Sequence, residues 1–276
     1  MPSPWKGATL NVVLFILTVA SVYLTGGPRL VLGLISILLA HEMGHYLACR
    51  YYGVDATLPY FLPFPGLSLA GTLGAFIRIR GLIPHRRALF DIGIAGPLAG
   101  FVLCVPVLVL GIAEARLLPT VPDAGIYLGE PLIFRGAVWL LKGPTPDDVT
   151  LTLGPLGLAA WFGLFVTALN LIPIGQLDGG HVTYALFRER AALVSRIGSW
   201  VCIALIYFGP NWLIWSLLLR LLGRRHPPTL DDAAPLGRAR SWIGALGLAV
   251  FIGCFVPNPI VWSWRDFFGT IGLTSR

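Results

Sequence analysis

The chain has 276 residues, 56% of them hydrophobic and only 12% charged, with a mean hydropathy of +0.78. That charged fraction is about half the usual quarter of soluble domains, which excludes an ordinary water-soluble globule and points to a multi-pass membrane protein. The formal net charge of +7 does not imply nucleic-acid binding. No long basic run is interleaved with aromatics, and cytoplasmic loops of membrane proteins carry such an excess of Lys and Arg.

In chain order, Lys6 precedes an apolar run from Thr9 to Leu24. The run is long for a signal core and no A-x-A site follows, so a retained first helix is expected over about 9–25. Gly26, Gly27 and Pro28 form a turn, and a second helix follows over about 29–50. Residues 53–87 are rich in Pro and Gly, and "GTLGAFIRIRG" is β-prone, predicting a small β-hairpin or re-entrant segment. A third helix is predicted over about 88–113, with Asp91 as N-cap and Gly96 and Gly100 at a spacing that favours close helix packing. Residues 114–151 read as a polar loop too short for a sizeable extra domain.

The fourth helix is expected over about 152–173, ending in "NLIPIGQLDGGH". The apolar stretch 193–223 is broken at Gly209, Pro210 and Asn211. Arg188, Arg190 and Arg196 before it and Arg224 and Arg225 after it predict a helical hairpin with both ends on one side. A final helix covers about 241–257, and "IVWSWRDFFG" reads as an interfacial tail. The four cysteines, Cys49, Cys104, Cys202 and Cys254, lie in or beside apolar segments without a C-x-x-C pair. They read as small buried hydrophobes.

Charge sets the orientation. The loop with Arg78, Arg80, Arg86 and Arg87 belongs in the cytoplasm. The 114–151 loop carries Glu114, Asp123, Glu130, Asp147 and Asp148 against Arg116, Arg135 and Lys142, and belongs outside. The second and fourth helices then both run inward. Two distant polar motifs, His41–His45 and Asn170–Asp178, fall toward the cytoplasmic end of the membrane.

The stretch "LLAHEMGHYLACR" places two histidines four residues apart on one helix face, a spacing at which two imidazoles bind one metal ion. Glu42 projects about 100° round the helix, within reach of a water beside that metal. H-E-x-x-H is the zinc-metalloprotease signature, and ionisable groups in a membrane helix are costly enough to need a function. A catalytic zinc usually has three protein ligands. Asp178 in "QLDGGH" is the candidate third ligand, turned inward where Pro173 and Gly175 break the helix, with His181 as its rival. Gly44 permits a close helix approach.

"HEMGH" on one transmembrane helix and "NLIPIGQLDGG" on a later one resemble the site-2 protease family of intramembrane zinc metalloproteases. "GTLGAFIRIRGLIPHRRALFDIGIAGPLAG" resembles its members that lack a PDZ domain. The resemblance covers about 29–190. It implies that His41, His45 and Asp178 hold one Zn2+ per chain, that Glu42 is the catalytic base, and that Asn170 helps with substrate or oxyanion. It further implies cleavage of transmembrane protein substrates in or near the lipid bilayer. Such a zinc would polarise the scissile carbonyl and lower the pKa of its water.

The expected fold is an all-α polytopic membrane protein of about six to seven transmembrane helices, with a small β-hairpin or re-entrant segment near the active site. One membrane-embedded domain comprises a core of about 29–190 and C-terminal helices of about 191–276. Compactness suggests a bacterial cytoplasmic membrane. The 66–80 segment is a candidate for pairing with an unwound substrate as an added strand. Two other classes use the same residues: a metal-ion transporter, which gains nothing from a non-ligand Glu42, and an inactive scaffold, which has no need of intact motifs.

Overall fold

In a computed structural model, the described residues are 8–66, 68–118, 126–146, 149–221 and 229–261. Asp123, Asp147, Asp148, Arg224, Arg225 and most of the "IVWSWRDFFG" tail lie outside them. Helix α1 spans Ala8–Tyr51, 44 residues, but leaves helical geometry at Gly26 and Gly27. Gly27 sits at φ 71°, a conformation open to glycine, and Pro28 follows it. A continuous helix of that length would be about 66 Å long, twice the hydrocarbon thickness. The break divides it into two arms, and both contribute to one core cluster through Val22, Leu30, Leu34 and Leu38.

The expected β segment is present. Strands β1 (Tyr60–Pro63) and β2 (Thr72–Phe76) pair antiparallel, with Phe61 opposite Ala75 and an irregularity between Phe61 and Pro63. The first arm of α1 grips this hairpin with side chains. Asn11 donates to the carbonyls of Leu58 and Pro59, Ser21 to that of Gly71, and Phe15 packs edge-on against Phe61.

Helix α2 runs Arg86–Glu114. Its N-cap is His85, whose ring accepts from the Ala88 amide at 3.0 Å. The expected cap, Asp91, lies inside the helix and pairs with Arg240. The correction has a physical reason: the imidazole already satisfies the first-turn amide that a cap would serve. The second arm of α1 packs antiparallel on α2. Arg29 meets Glu114 at 2.9 Å at one end, and His45 meets Ile92 at the other.

The 114–151 segment is less irregular than its polarity suggests. It holds β3 (Arg116–Leu118), helix α3 (Leu132–Lys142) and part of β4 (Thr150–Thr152), which pairs with β3. Phe134 and Val138 anchor α3 in the main core. Helix α4, Pro155–Asn170, is shorter than expected at 16 residues, because β4 takes 150–152 and Pro155 occupies the helix start.

Helix α5 covers Asp178–Phe187 and continues through a short 3-10 turn into α6, Ala191–Ala204. Helix α7, Asn211–Leu221, folds back on α6, with Ser216 donating to the Cys202 carbonyl, so the predicted helical hairpin forms around Gly209 and Pro210. Helix α8 spans Arg238–Cys254. Among the described residues, three helical stretches are long and apolar enough to cross a membrane, Ala8–Tyr51, Arg86–Glu114 and Asp178–Tyr207. The described residues are mostly helical, with two small sheets. All four cysteines are free and buried.

Candidate metal centre

His41 and His45 lie on the buried face of α1 near its C-terminal end, with Glu42 buried between them; the three are 3%, 6% and 4% exposed. Burial of this kind needs close neighbours without side chains in the way, and α2 supplies a glycine face. A methyl group at Gly96 would come within 2.1 Å of His45 Nε2, and one at Gly100 within 3.1 Å of the His41 Cβ. Gly44 of α1 reciprocates, since a methyl there would meet the Ala95 carbonyl oxygen at 2.5 Å. The close approach expected from Gly44, Gly96 and Gly100 is therefore what seats the histidine pair.

Asp178 arrives from the other motif. Helix α4 stops at Asn170, since Pro173 cannot extend it, and Gly175 turns the chain at φ 57°. Helix α5 restarts at Asp178. Gly179 and Gly180 let the new helix fold onto the loop: methyl groups there would lie 2.1 Å from the Leu171 oxygen and 2.3 Å from that of Gly175. The L-D-G-G sequence is thus a steric requirement for bringing the carboxylate inward.

The three donors converge. His41 Nε2, His45 Nε2 and Asp178 Oδ2 stand 3.2 Å from one another in all three pairings. Tetrahedral zinc with bonds of about 2.0–2.1 Å separates its ligands by about 3.3 Å, so the triangle has the right size. His45 Nδ1 faces the Ile92 carbonyl oxygen at 2.7 Å. Donation there leaves Nε2 with its lone pair toward the triangle, an arrangement typical of metal-ligating histidine. The residues present fit a zinc ion.

Asn170, the last residue of α4, brings Nδ2 to 3.1 Å from His41 Nε2. Glu42 lies beside the triangle, close to the backbone of Ile77, just after β2. Among the described residues, the donor group contains Asp178 and not His181. His181 lies one helical turn on, its Cβ against the position of Gly93. Sequence reasoning missed Gly93, the Ile92 carbonyl and the Ile77 backbone. Backbone groups leave no signature in residue type, whereas the Gly93-x-x-Gly96 spacing was readable.

A family model described as Peptidase family M50 matches residues 29–207. The chain is 32% identical over 254 residues to the probable zinc metalloprotease EGY1, chloroplastic, of Arabidopsis thaliana, covering 87% of this chain and 44% of that protein. The EGY1 protein of Oryza sativa subsp. japonica is 32% identical over 250 residues, with 87% and 42% covered. The probable zinc metalloprotease EGY2, chloroplastic, of Oryza sativa subsp. indica is 36% identical over 171 residues, with 59% and 30% covered. The chain thus spans less than half the length of these relatives. No solved structure matches it significantly. With well over half of its residues matched by the family model, and both motifs within the match, the chain belongs to Peptidase family M50, the site-2 protease family.

Proposed function

We propose that the chain is an intramembrane zinc metalloendopeptidase, binding one zinc and hydrolysing peptide bonds in transmembrane segments of membrane-protein substrates, as in regulated intramembrane proteolysis. The observation that carries the reading is the 3.2 Å triangle of His41, His45 and Asp178 with Glu42 buried beside it. The family membership and the names of the relatives point the same way.

Zinc bound there would supply Lewis acidity and a water of lowered pKa. The chain's own residues do the rest. His41, His45 and Asp178 fix the ion's place, and the Ile92 carbonyl fixes the His45 tautomer. Glu42 takes a proton from the attacking water and passes it to the leaving amine. Asn170 offers an amide N–H to the developing oxyanion. A helical substrate hides its carbonyls in hydrogen bonds and must unwind first. The β1–β2 hairpin, contiguous with the Ile77 backbone beside Glu42, is suited to receive the unwound segment as an added strand. Deletion of residues 66–74 with zinc still bound tests that role, and unchanged cleavage rejects it.

In this reading one domain is embedded in the bilayer. The two arms of α1, α2, α4, the α6–α7 hairpin and α8 would make seven crossings, within the six to seven expected. The site faces the side of Arg78, Arg80, Arg86 and Arg87, read as cytoplasmic. Compactness pointed to a bacterial membrane, but the relatives' names place those proteins in chloroplasts, so the charge-based orientation is kept and the bacterial assignment is not.

The test is elemental analysis of detergent-purified protein beside Asp178→Ala, followed by cleavage assays with Glu42→Gln. About one zinc per chain, lost in Asp178→Ala, supports the three-ligand site. Loss of cleavage in Glu42→Gln with zinc retained supports the peptidase over a transporter. Equal zinc in wild type and Asp178→Ala would move the third ligand to His181.

A further inference from the structure

Residues 229–237, between α7 and α8, together with the first turn of α8 through Arg240, lie across the Arg-rich end of the molecule and make more specific contacts than a linker requires. The backbone of Leu230 and Asp231 donates to the carbonyls of Ile83 and Pro84, and the Arg86 amide donates back to the Asp231 carbonyl. Arg87 Nε donates to the Pro235 carbonyl. Two side-chain clasps then fasten this strap to the helices that flank the metal centre.

In the first clasp, Arg240 forks onto Asp91 of α2, with Nε at 2.9 Å from Oδ1 and Nη2 at 2.7 Å from Oδ2. Tyr52, at the end of α1, donates to the same carboxylate, and Arg240 Nη2 also reaches the Tyr52 hydroxyl. In the second, Asp232 accepts from the Tyr184 hydroxyl of α5 at 2.7 Å and from Thr229 Oγ1 at 2.7 Å. Both helices matter to the site. Asp91 immediately precedes Ile92, whose carbonyl holds His45 Nδ1. Tyr184 stands on the ten-residue helix that opens with Asp178.

We propose that Arg240 and Asp232 are positioning residues for the metal centre: the strap holds α2 and α5 in the register at which the Ile92 carbonyl meets His45 and Asp178 closes on the histidine pair. The first clasp is bidentate and only partly exposed, with side-chain exposures of 29% for Arg240 and 27% for Asp91; the second reaches α5 through the Tyr184 hydroxyl, on a carboxylate that Thr229 holds in place. A bidentate pair fixes direction as well as distance, which a lone surface ion pair does not. The inference rests on the triangle being the metal site of the proposed peptidase. Its content is different: a segment beyond residues 29–207, the family match, determines how firmly that site is closed.

The test uses Co2+ as the probe metal on the full-length chain in detergent, titrated by visible absorption against a chelator of known affinity. Arg240→Gln and Tyr184→Phe should each weaken Co2+ binding by about 10-fold or more, the scale of outer-sphere losses, and alter the d–d bands. Arg240→Lys should recover part of the loss, and the reversed pair Asp91→Arg with Arg240→Asp should recover more than either reversal alone. The metal-free melting temperature is recorded for every variant. Unchanged Co2+ affinity and spectrum beside a lowered melting temperature would reduce the strap to a purely structural role and overturn the proposal. Wild type that binds no Co2+ would overturn the metal-site reading, and this inference with it.

Discussion

Gly96 and Gly136 both sit in helices, yet a methyl group means opposite things at the two positions. At Gly96 it would stand 2.1 Å from His45 Nε2, while at Gly136 nothing lies within 4 Å. Gly96→Ala should therefore displace the imidazole and abolish metal binding, read as zinc per chain. Gly136→Ala should leave zinc intact and add about 0.5–1 kcal/mol of stability, read as a raised melting temperature. Asn170→Ala separates holding the ion from assisting the reaction. Zinc content should stay near wild type, while kcat falls by about 10²-fold with little change in KM, the usual consequence of losing one oxyanion donor. A parallel loss of zinc would make Asn170 part of the metal site. At this scale the sequence was legible wherever chemistry is tied to residue type: the two histidines, Glu42 and Asp178 declare themselves by spacing. Asp91 was misread, because a carboxylate near a helix start suits a cap and nothing local reveals that Arg240 waits 149 positions away.

Among the elements, the β1–β2 hairpin depends most on side chains from elsewhere. Asn11 donates to the carbonyls of Leu58 and Pro59 at 2.8 and 3.0 Å, although it sits in an apolar helix where a polar group must find a partner. Asn11→Leu removes both donations and leaves two carbonyls without their partner. A cost of about 2 kcal/mol is expected, seen as a lower melting temperature and faster proteolysis near residue 58. Zinc content should be preserved, since the triangle stands on the second arm of α1 and on α5, away from Asn11. Helices with strong hydropathy, and the turn at Gly26–Pro28, were readable from composition and breakers alone. Helix α3 was not, because its polar neighbours masked an apolar stripe only three turns long, and α4 lost its first residues to a strand pairing with β3 that no local pattern encodes.

For the molecule as a whole, antiparallel packing sets which ends of α1 and α2 meet. Arg29 pairs with Glu114 at one end of the α1–α2 packing, and His45 and Ile92 meet at the other. The charge pattern alone had put both polar motifs at one depth, and the structure joins them. What loop charge does not encode is the return of residues 229–240 to that end, since the partners in those contacts, such as Asp91 for Arg240 and Tyr184 for Asp232, lie far away in the sequence. The orientation can be measured with single cysteines, because the four native thiols are buried. Leu82→Cys marks the Arg-rich end, and Arg135→Cys marks α3 at the opposite end. Both positions are exposed, and neither substitution weakens the basic loop. With a membrane-impermeant maleimide on intact cells or right-side-out vesicles, Arg135→Cys should label directly and Leu82→Cys only after permeabilisation. The reverse pattern would place the metal centre toward the outer face, and substrates would then be cut near their external ends. Labelling of both before permeabilisation would mean that the α1–α2 pair does not carry the chain across the bilayer.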